Sequence, residues 1–256
     1  MDSKTDTALF RRVDPAVGLA LLSRWPVRIK SQADWARGAA SAWCWPILGA
    51  VIAVPAAVLA QGAVAVGLPA VVAALLALGI LTFTTGALHE DGLADSFDGV
   101  WGGADAARRL AIMKDSQIGS YGTLALIFSL ALRVALLSTL IDGGQIWASL
   151  LGAAMLSRAA MVGVMATLPY ARNDGLAHSV GRPGRATSGI ALVLAGIACL
   201  ALFGIVAIFA VLVVAIATAG VAAVAQRKIG GQTGDILGAT QQVAETMTLL
   251  TLAVLL

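Results

Sequence analysis

The stretch that decides the fold class is residues 188–226, which read SGIALVLAGIACLALFGIVAIFAVLVVAIATAGVAAVAQ without one charged side chain. As a single helix at about 1.5 Å per residue, this stretch would be almost twice as long as the roughly 30 Å hydrocarbon core of a bilayer. We therefore predict two membrane-spanning helices, separated near Gly204. The sequence is that of an integral membrane protein.

Other apolar stretches repeat this pattern along the chain. Each is close to the roughly 20 residues that a transmembrane helix needs. They cover residues 43–66, 69–88, 121–141, 145–169 and 236–256. Together with the divided stretch, they predict an all-α bundle of about seven spans, forming one integral-membrane domain over residues 1–256.

The composition excludes several classes of protein. Of the 256 residues, 59% are hydrophobic and 12% are charged, whereas a soluble domain has about 25% charged residues. The chain is therefore neither an ordinary cytosolic protein nor a disordered one. The net charge is only +3 and the basic residues form no stripe, so we expect no nucleic-acid partner. Cys44 and Cys199 lie in apolar stretches, where we expect buried core residues without a disulfide or a metal.

The basic residues predict the orientation of the bundle. Fifteen of the 17 Lys and Arg residues fall in the N-terminal arm (residues 1–38) and in the segments 89–120, 170–187 and 227–235. The connections between the other ends of the spans carry none. Because cytoplasmic loops carry the Lys and Arg excess, we expect the N-terminus and these segments on the cytoplasmic side.

The N-terminal arm mixes apolar and charged residues. Between residues 7 and 22, three charged residues interrupt a series of Leu, Phe and Val. This pattern predicts a short amphipathic helix on the cytoplasmic face, with Trp25 and Trp35 at the level of the lipid headgroups. The alternative is a solvated basic arm.

Four of the 14 acidic residues lie within nine positions, in the segment His89-Glu90-Asp91-Gly92-Leu93-Ala94-Asp95-Ser96-Phe97-Asp98-Gly99. On a helix Asp91, Asp95 and Asp98 share one face, where like charges repel unless a cation neutralises them. Mg²⁺ prefers carboxylate oxygens and typically combines one or two of them with substrate phosphates. We therefore predict a metal and phosphate site in a cytoplasmic catalytic loop, residues 89–120, rather than a solvated acidic loop.

A second cluster follows in the same segment. Arginine and lysine bind phosphate oxygens, and the Ser/Gly-rich start of the next span offers free backbone N–H groups to an anion. The residues predicted to bind substrate here are Arg108, Arg109, Lys114 and Ser116. The alternative for the basic residues is that they only orient the bundle.

A third cluster begins the last span, with Gly230-Gly231-Gln232-Thr233-Gly234-Asp235. The glycines allow close backbone approach, which favours Asp235 as a metal ligand. Glu245 follows about 15 Å further along the helix, where a carboxylate needs a partner or a cavity. Arg133 and Arg158 are the basic residues inside spans, so Glu245 either pairs with them to hold the bundle together or joins them in binding substrate.

Taken together, these segments resemble the cobalamin synthase family, adenosylcobinamide-GDP ribazoletransferase. The matching stretches, in order, are Arg24-Trp25-Pro26-Val27, His89-x-Asp91-Gly92-Leu93-Ala94-Asp95-x-x-Asp98-Gly99, Met113-Lys114-Asp115-Ser116-x-x-Gly119-x-Tyr121-Gly122, Ser157-Arg158 and Gly231-x-Thr233-Gly234-Asp235-x-Leu237-Gly238-Ala239. They cover essentially the whole chain.

The resemblance implies a Mg²⁺-dependent enzyme of the bacterial inner membrane that transfers the adenosylcobinamide phosphate moiety of adenosylcobinamide-GDP to α-ribazole or its 5′-phosphate, releasing GMP. The expected partners are these substrates and the lipid bilayer, and homo-oligomers are left open. The residues that would carry the chemistry fall into three groups. They are Asp91, Asp95, Asp98 and Asp235 for Mg²⁺; Arg108, Arg109, Lys114, Ser116, Arg158, Thr233 and Glu245 for substrate; and Asp98, Asp115 or His89 as proton acceptor.

Two alternative functions remain at this point. CDP-alcohol phosphotransferases also place an Asp-Gly motif at the cytoplasmic end of a membrane bundle, followed by Ala-Arg and two further acids at four-residue spacing. In this chain Ala94 is followed by Asp95 instead of arginine, and the next acid, Asp98, comes three residues later. A cation transporter would also place acids in a membrane. It would commonly show a repeat of its acidic motif, and the sequence has no second copy.

Overall fold

The computed structural model describes residues 8–256 and shows an all-helical chain; Lys4 of the arm lies outside these residues. Its helices are α1 (Asp14–Leu22), α2 (Gln32–Trp35), a 3-10 turn (Ala40–Cys44), α3 (Trp45–Ala65), α4 (Ala70–Thr85), α5 (Leu88–Gly102), α6 (Ala106–Ile112), α7 (Ser120–Asp142), α8 (Ile146–Thr167), α9 (Leu176–Val180), α10 (Arg185–Phe203), α11 (Val206–Ile229) and α12 (Gly234–Leu255). The predicted all-α class is confirmed. Cys44 and Cys199 are buried, as expected, and both are free cysteines.

Five helical segments of the described chain are long and apolar enough to cross a membrane. They are α3 with the 3-10 turn before it, α7, α8, α10 and α11. A sixth crossing results if α4 and α5 count as one bent span. The membrane character is therefore confirmed with five or six candidate spans, and the predicted number of seven depends on α12.

The long uncharged stretch is divided at Gly204, as predicted. α10 ends at Phe203, α11 begins at Val206, and Gly204 between them has a φ of 55°. Residues with a Cβ avoid this left-handed conformation, whereas glycine adopts it readily. The turn therefore separates two helices of span length.

The second apolar stretch ends earlier than predicted. α4 stops at Thr85 instead of continuing to residue 88, and Gly86 and Ala87 both take positive φ values, 65° and 58°. α5 then runs at 88° to α4. The acidic start of the segment 89–120 is helical, as the spacing of its carboxylates indicated, because α5 covers it, and α6 forms a second helix in the same segment.

The N-terminal arm forms the short helix α1, which packs against the bundle; its predicted place at the membrane surface stays a prediction. α1 buries Val17 and Leu22 as well as the charged Asp14. The Asp14 carboxylate accepts hydrogen bonds from Arg37 Nε (2.6 Å), Arg37 Nη2 (2.9 Å) and Trp43 Nε1 (2.9 Å). Burial alone would raise the pKa of Asp14, but these hydrogen bonds hold it below its usual value.

α12 lies in the centre of the bundle, packed against α5, α7, α8 and α11. It is not among the candidate spans, and its polar residues include Gln241, Gln242 and Glu245. All three side chains are buried against other helices. Because polar groups inside a membrane bundle are tolerated when they face protein, the position of α12 explains its low hydropathy.

The segments that carry the basic residues gather at one end of the bundle. There the Arg24 N–H donates to the Thr84 carbonyl oxygen at 2.8 Å. Arg109 Nη1 donates to the Lys228 carbonyl oxygen at 3.1 Å. The Ala39 N–H also donates to the Val180 carbonyl oxygen at 2.9 Å and Lys114 pairs with Asp174, so the four basic segments are linked to one another.

Candidate active site

α5 and α12 cross with their backbones in close contact, and this crossing brings the acidic residues together. A Cβ on Gly92 would lie 2.9 Å from the Asp235 carbonyl oxygen and 3.1 Å from the Gly238 Cα. Glycine at this position permits the approach because it has no side chain. The charge of Asp235 on α12 consequently acts on the carboxyl group of Asp95, in addition to that of Asp91 on the same helix α5.

An acidic cleft of about 490 Å³ opens beside α5. Asp91 and Asp95 line it together with Lys114, Asp115 and Ser116 from the segment after α6. The first and second predicted clusters therefore face one space. Carboxylates that suit a cation and a lysine that suits an anion are the groups that phosphoryl transfer requires.

Lys114 also connects two segments at the edge of the acidic cleft. Its Nζ donates a hydrogen bond to Asp174 Oδ2 at 2.5 Å, and both side chains are exposed. This hydrogen bond lowers the pKa of Asp174 below its usual value. Because exposed ion pairs stabilise a fold only weakly, a phosphate can compete for Lys114 at small cost.

A second cavity, of about 120 Å³, shares Asp91 with the acidic cleft. His89, Arg172 and Asp235 form the rest of its polar wall. We call it the apolar cavity, because most of its remaining wall is hydrophobic. That wall includes Leu22, Trp45, Met161, Met165, Leu176 and Val180.

Arg172 is a site residue that the sequence analysis missed. Its Nη2 donates to Asp235 Oδ2 at 3.3 Å. The loop holds it there, because the Gln232 N–H donates to the Pro169 carbonyl oxygen (2.8 Å) and the Ala171 N–H donates to that of Gln232 (2.9 Å). Arg172 and Asp235 are 63 positions apart, so no local pattern indicates their pairing.

The acidic group suits Mg²⁺ by its chemistry. Among residues 8–256, no three His, Cys, Asp or Glu side chains are placed to hold a metal ion by themselves. However, Mg²⁺ usually needs one or two carboxylates, with substrate phosphates and water as its other ligands. Asp91, Asp95 and Asp235 offer oxygen donors whose charges repel one another, and a cation would relieve that repulsion.

Asp98 has a different partner from the other acids of α5. Its Oδ2 accepts the Gly119 N–H at 2.7 Å and its Oδ1 accepts the Gly122 N–H at 2.8 Å. Asp98 therefore anchors the first turn of α7, where unpaired N–H groups favour a carboxylate. Its predicted roles as metal ligand and proton acceptor stay predictions.

The two arginines of α6 lie outside the residues that line the acidic cleft. Arg109 donates to the carbonyl oxygens of Val100, Ala104 and Lys228, which fixes α6 to its neighbours. Arg108 is exposed on the same helix. Their predicted role in substrate binding stays a prediction.

Glu245 lies inside the bundle and is surrounded by donors. It accepts hydrogen bonds from Arg133 Nη1 (3.0 Å), Arg158 Nη1 (3.4 Å) and Gln241 Nε2 (2.6 Å). Glu90 Oε1 lies 3.8 Å from Arg133 Nη1 and adds a second negative charge. Of the two roles that the sequence left open for Glu245, this arrangement favours holding the bundle together.

Thr233 precedes Asp235 by two positions in the sequence, and His89 lies near Asp235 in the folded chain. Thr233 Oγ1 accepts the Ile236 N–H at 3.2 Å and donates to Asp235 Oδ2 at 3.1 Å, so Thr233 caps α12 and orients Asp235. His89 is buried, and its backbone lies close to Gly238 of the same helix. Both predicted site residues are therefore next to the acidic group.

The fold and the site define a class: a helical membrane protein with a cleft that combines carboxylates and a lysine. The family model described as cobalamin-5-phosphate synthase matches residues 15–253. The chain belongs to this family, which confirms the resemblance seen in the sequence.

Relatives named adenosylcobinamide-GDP ribazoletransferase are similar over most of the chain. The Sinorhizobium sp protein is 40% identical over 254 residues, covering 94% of this chain and 95% of the relative. The Xanthobacter autotrophicus protein is 46% identical over 217 residues, 82% of each chain. The Azorhizobium caulinodans protein is 45% identical over 227 residues, 80% of each chain. No solved structure matches this chain.

Proposed function

We propose that this protein transfers the adenosylcobinamide phosphate moiety of adenosylcobinamide-GDP to α-ribazole or its 5′-phosphate, giving adenosylcobalamin or its phosphate and GMP. The carrying observation is the single acidic cleft in which Asp91 and Asp95 share a space with Lys114, in a chain whose relatives bear the name of this transferase. No such observation supports a phospholipid synthase or a cation transporter.

The reaction breaks a pyrophosphate bond and forms a phosphodiester, so catalysis depends on positioning and on neutralising negative charge. One or two of the carboxylates Asp91, Asp95 and Asp235 would hold Mg²⁺ beside the substrate phosphates, and the ion when bound supplies positive charge to the pyrophosphate oxygens. The Gly92 crossing keeps these carboxylates together. Arg172 and Thr233 fix the orientation of Asp235 from its outer side.

The residues after α6 that line the acidic cleft would contact the leaving group. Lys114 places a positive charge beside the phosphate of the departing GMP, and Ser116 adds a hydroxyl donor. Asp115 lines the same cleft, whereas both oxygens of Asp98 accept hydrogen bonds from α7. We therefore assign the attacking hydroxyl's proton to Asp115.

We further propose that the chain crosses the bacterial inner membrane seven times. The five candidate spans are joined by the bent pair α4–α5 and by α12, whose 22 residues reach about 33 Å. The N-terminus is then cytoplasmic and the C-terminus lies outside. Because the basic segments mark the cytoplasmic side and the acidic cleft lies among them, the active site opens to the cytoplasm.

The test is turnover by purified protein in detergent with adenosylcobinamide-GDP, α-ribazole and Mg²⁺. We expect Asp95→Asn and Asp235→Asn to lower GMP release at least about 100-fold, the usual effect of removing one electrostatic group at a transition state. Asp142→Asn, at the opposite end of α7 and exposed, is the matched control and should keep full activity.

Two results would contradict the proposal. Full activity in the folded Asp95→Asn and Asp235→Asn proteins would remove the assigned metal site. Absence of GMP and cobalamin with the wild type, while CDP-diacylglycerol is consumed, would replace the proposed reaction by phospholipid synthesis.

A further inference from the structure

The apolar cavity changes in character from one wall to the other. Trp45, Met161 and Met165 provide aromatic and thioether surface, while Asp91 and Asp235 lie on the polar side. An apolar cavity of about 150 Å³ is large enough to bind benzene. The apolar cavity measures about 120 Å³. Leu176 in its wall is 49% exposed. The enclosed space is thus somewhat smaller than a benzene-binding cavity, and it is open at Leu176, so an aromatic ligand placed there would extend beyond it.

His89 is a second and independent sign of a ligand. Its side chain is 1% exposed and lines this cavity, and its Nε2 has no hydrogen-bond partner among the described residues. A buried polar atom without a protein partner needs an explanation, such as a bound ligand, ion or water. Nη1 of Arg172, on the same polar wall, is likewise buried without a hydrogen bond.

We infer that the apolar cavity binds the aromatic base of the acceptor nucleoside, with His89 hydrogen-bonded to a nitrogen of that base. The inference rests on the transferase function proposed above and names the binding site of its second substrate. The base of α-ribazole is a benzimidazole with two methyl groups. Its methylated ring fits against Trp45 and the methionines, and its nitrogen-containing ring, which carries the ribose, lies at the polar wall.

Guanine is one of the other aromatic bases in this reaction, and the cavity wall disfavours it. Guanine carries a carbonyl oxygen and several N–H groups that cost free energy when buried without partners. Met161 and Met165 offer none, and Trp45 Nε1 already donates to Ser41 Oγ at 3.2 Å. The methylated benzimidazole ring has no polar group at that end.

Asp91 connects the base site to the reacting phosphate, because it lines both the apolar cavity and the acidic cleft. A base in the apolar cavity places its ribose next to Asp91. The ribose hydroxyl oxygen then bonds to the corrinoid-side phosphorus, whose bond to the bridging oxygen breaks. GMP leaves with that oxygen and the electron pair, and the hydroxyl proton passes to a carboxylate.

The test fills the mouth of the cavity and compares the two substrates. Leu176→Trp adds bulk there, and Leu192→Trp adds the same bulk on the outer face of α10, where the leucine is also 49% exposed. We expect Leu176→Trp to raise the KM for α-ribazole at least about tenfold while the KM for adenosylcobinamide-GDP changes less than twofold. Leu192→Trp should leave both unchanged.

The methyl groups provide a second measurement. A hydrophobic pocket discriminates about tenfold or more for one methylene, so the wild type should prefer the dimethylated riboside to the unsubstituted benzimidazole riboside by at least that ratio. Leu176→Trp should lose the preference. If that variant elutes as aggregate in size-exclusion chromatography, Val180→Phe replaces it at the same wall.

Calorimetric titration of the protein with α-ribazole alone separates this inference from the proposed function. Wild-type binding that Leu176→Trp weakens supports the base site even if no cobalamin is formed, a result that would defeat the proposed function alone. If Leu176→Trp and Val180→Phe are both folded and active and the KM for α-ribazole is unchanged in each, the inference is overturned and the proposed function still stands. A rise in the KM for adenosylcobinamide-GDP instead also overturns it.

Discussion

Gly92 controls how closely α5 approaches α12, and replacing it with alanine is the most direct test of the acidic group. The added Cβ would lie 2.9 Å from the Asp235 carbonyl oxygen and 3.1 Å from both Asp235 Cα and Gly238 Cα. Ordinary contacts between such atoms are about 3.5–4.0 Å. The two helices must therefore separate by roughly half an ångström, which moves Asp95 away from Asp235.

The stability and the activity should respond to Gly92→Ala to different extents. Overpacking a tight contact costs about 1–3 kcal/mol, and alanine returns about 1 kcal/mol through its helix propensity. The net loss in the free energy of unfolding is thus about 0–2 kcal/mol. Because a misplacement of about 1 Å can cost roughly 100-fold in rate, half that shift should lower turnover about tenfold.

The assay measures GMP release and thermal unfolding of the same detergent-purified protein. Gly102→Ala is the matched control on α5, since its Cβ would meet only Ile112 Cδ1, at 3.8 Å, and it should keep wild-type turnover. If Gly92→Ala is folded and as active as Gly102→Ala, the crossing of α5 and α12 does not set the geometry of the site, and our reasoning is wrong.

Two further substitutions test the groups that support the site. Glu245→Ala leaves the guanidinium groups of Arg133 and Arg158 buried without their shared carboxylate, so we expect a loss of about 3–5 kcal/mol in denaturant unfolding; wild-type stability would refute the structural role. Asp98→Ala removes the acceptor for two N–H groups of α7 and should cost about 1–3 kcal/mol. The temperature of thermal unfolding should fall accordingly. Full stability with lost turnover would instead identify Asp98 as a catalytic residue.

The sequence by itself determined the helical membrane class and most of the candidate residues. Hydropathy is a local property, so the uncharged stretch required two helices and the turn at Gly204 could be located from one glycine. Likewise, the spacing of Asp91 and Asp95 was enough to place both on one helix face. The family could also be identified, because its motifs are short and continuous.

Tertiary structure decided which of these residues act together. Arg172 reaches Asp235 across 63 positions, and Asp98 bonds to α7 although it shares a helix with Asp91 and Asp95. The end of α4 at Gly86 also depended on the fold, since an apolar pattern continues past that point. The physical reason is that a carboxylate's role depends on the hydrogen-bond donors around it. These donors come from other helices, and a local sequence pattern does not indicate how those helices pack.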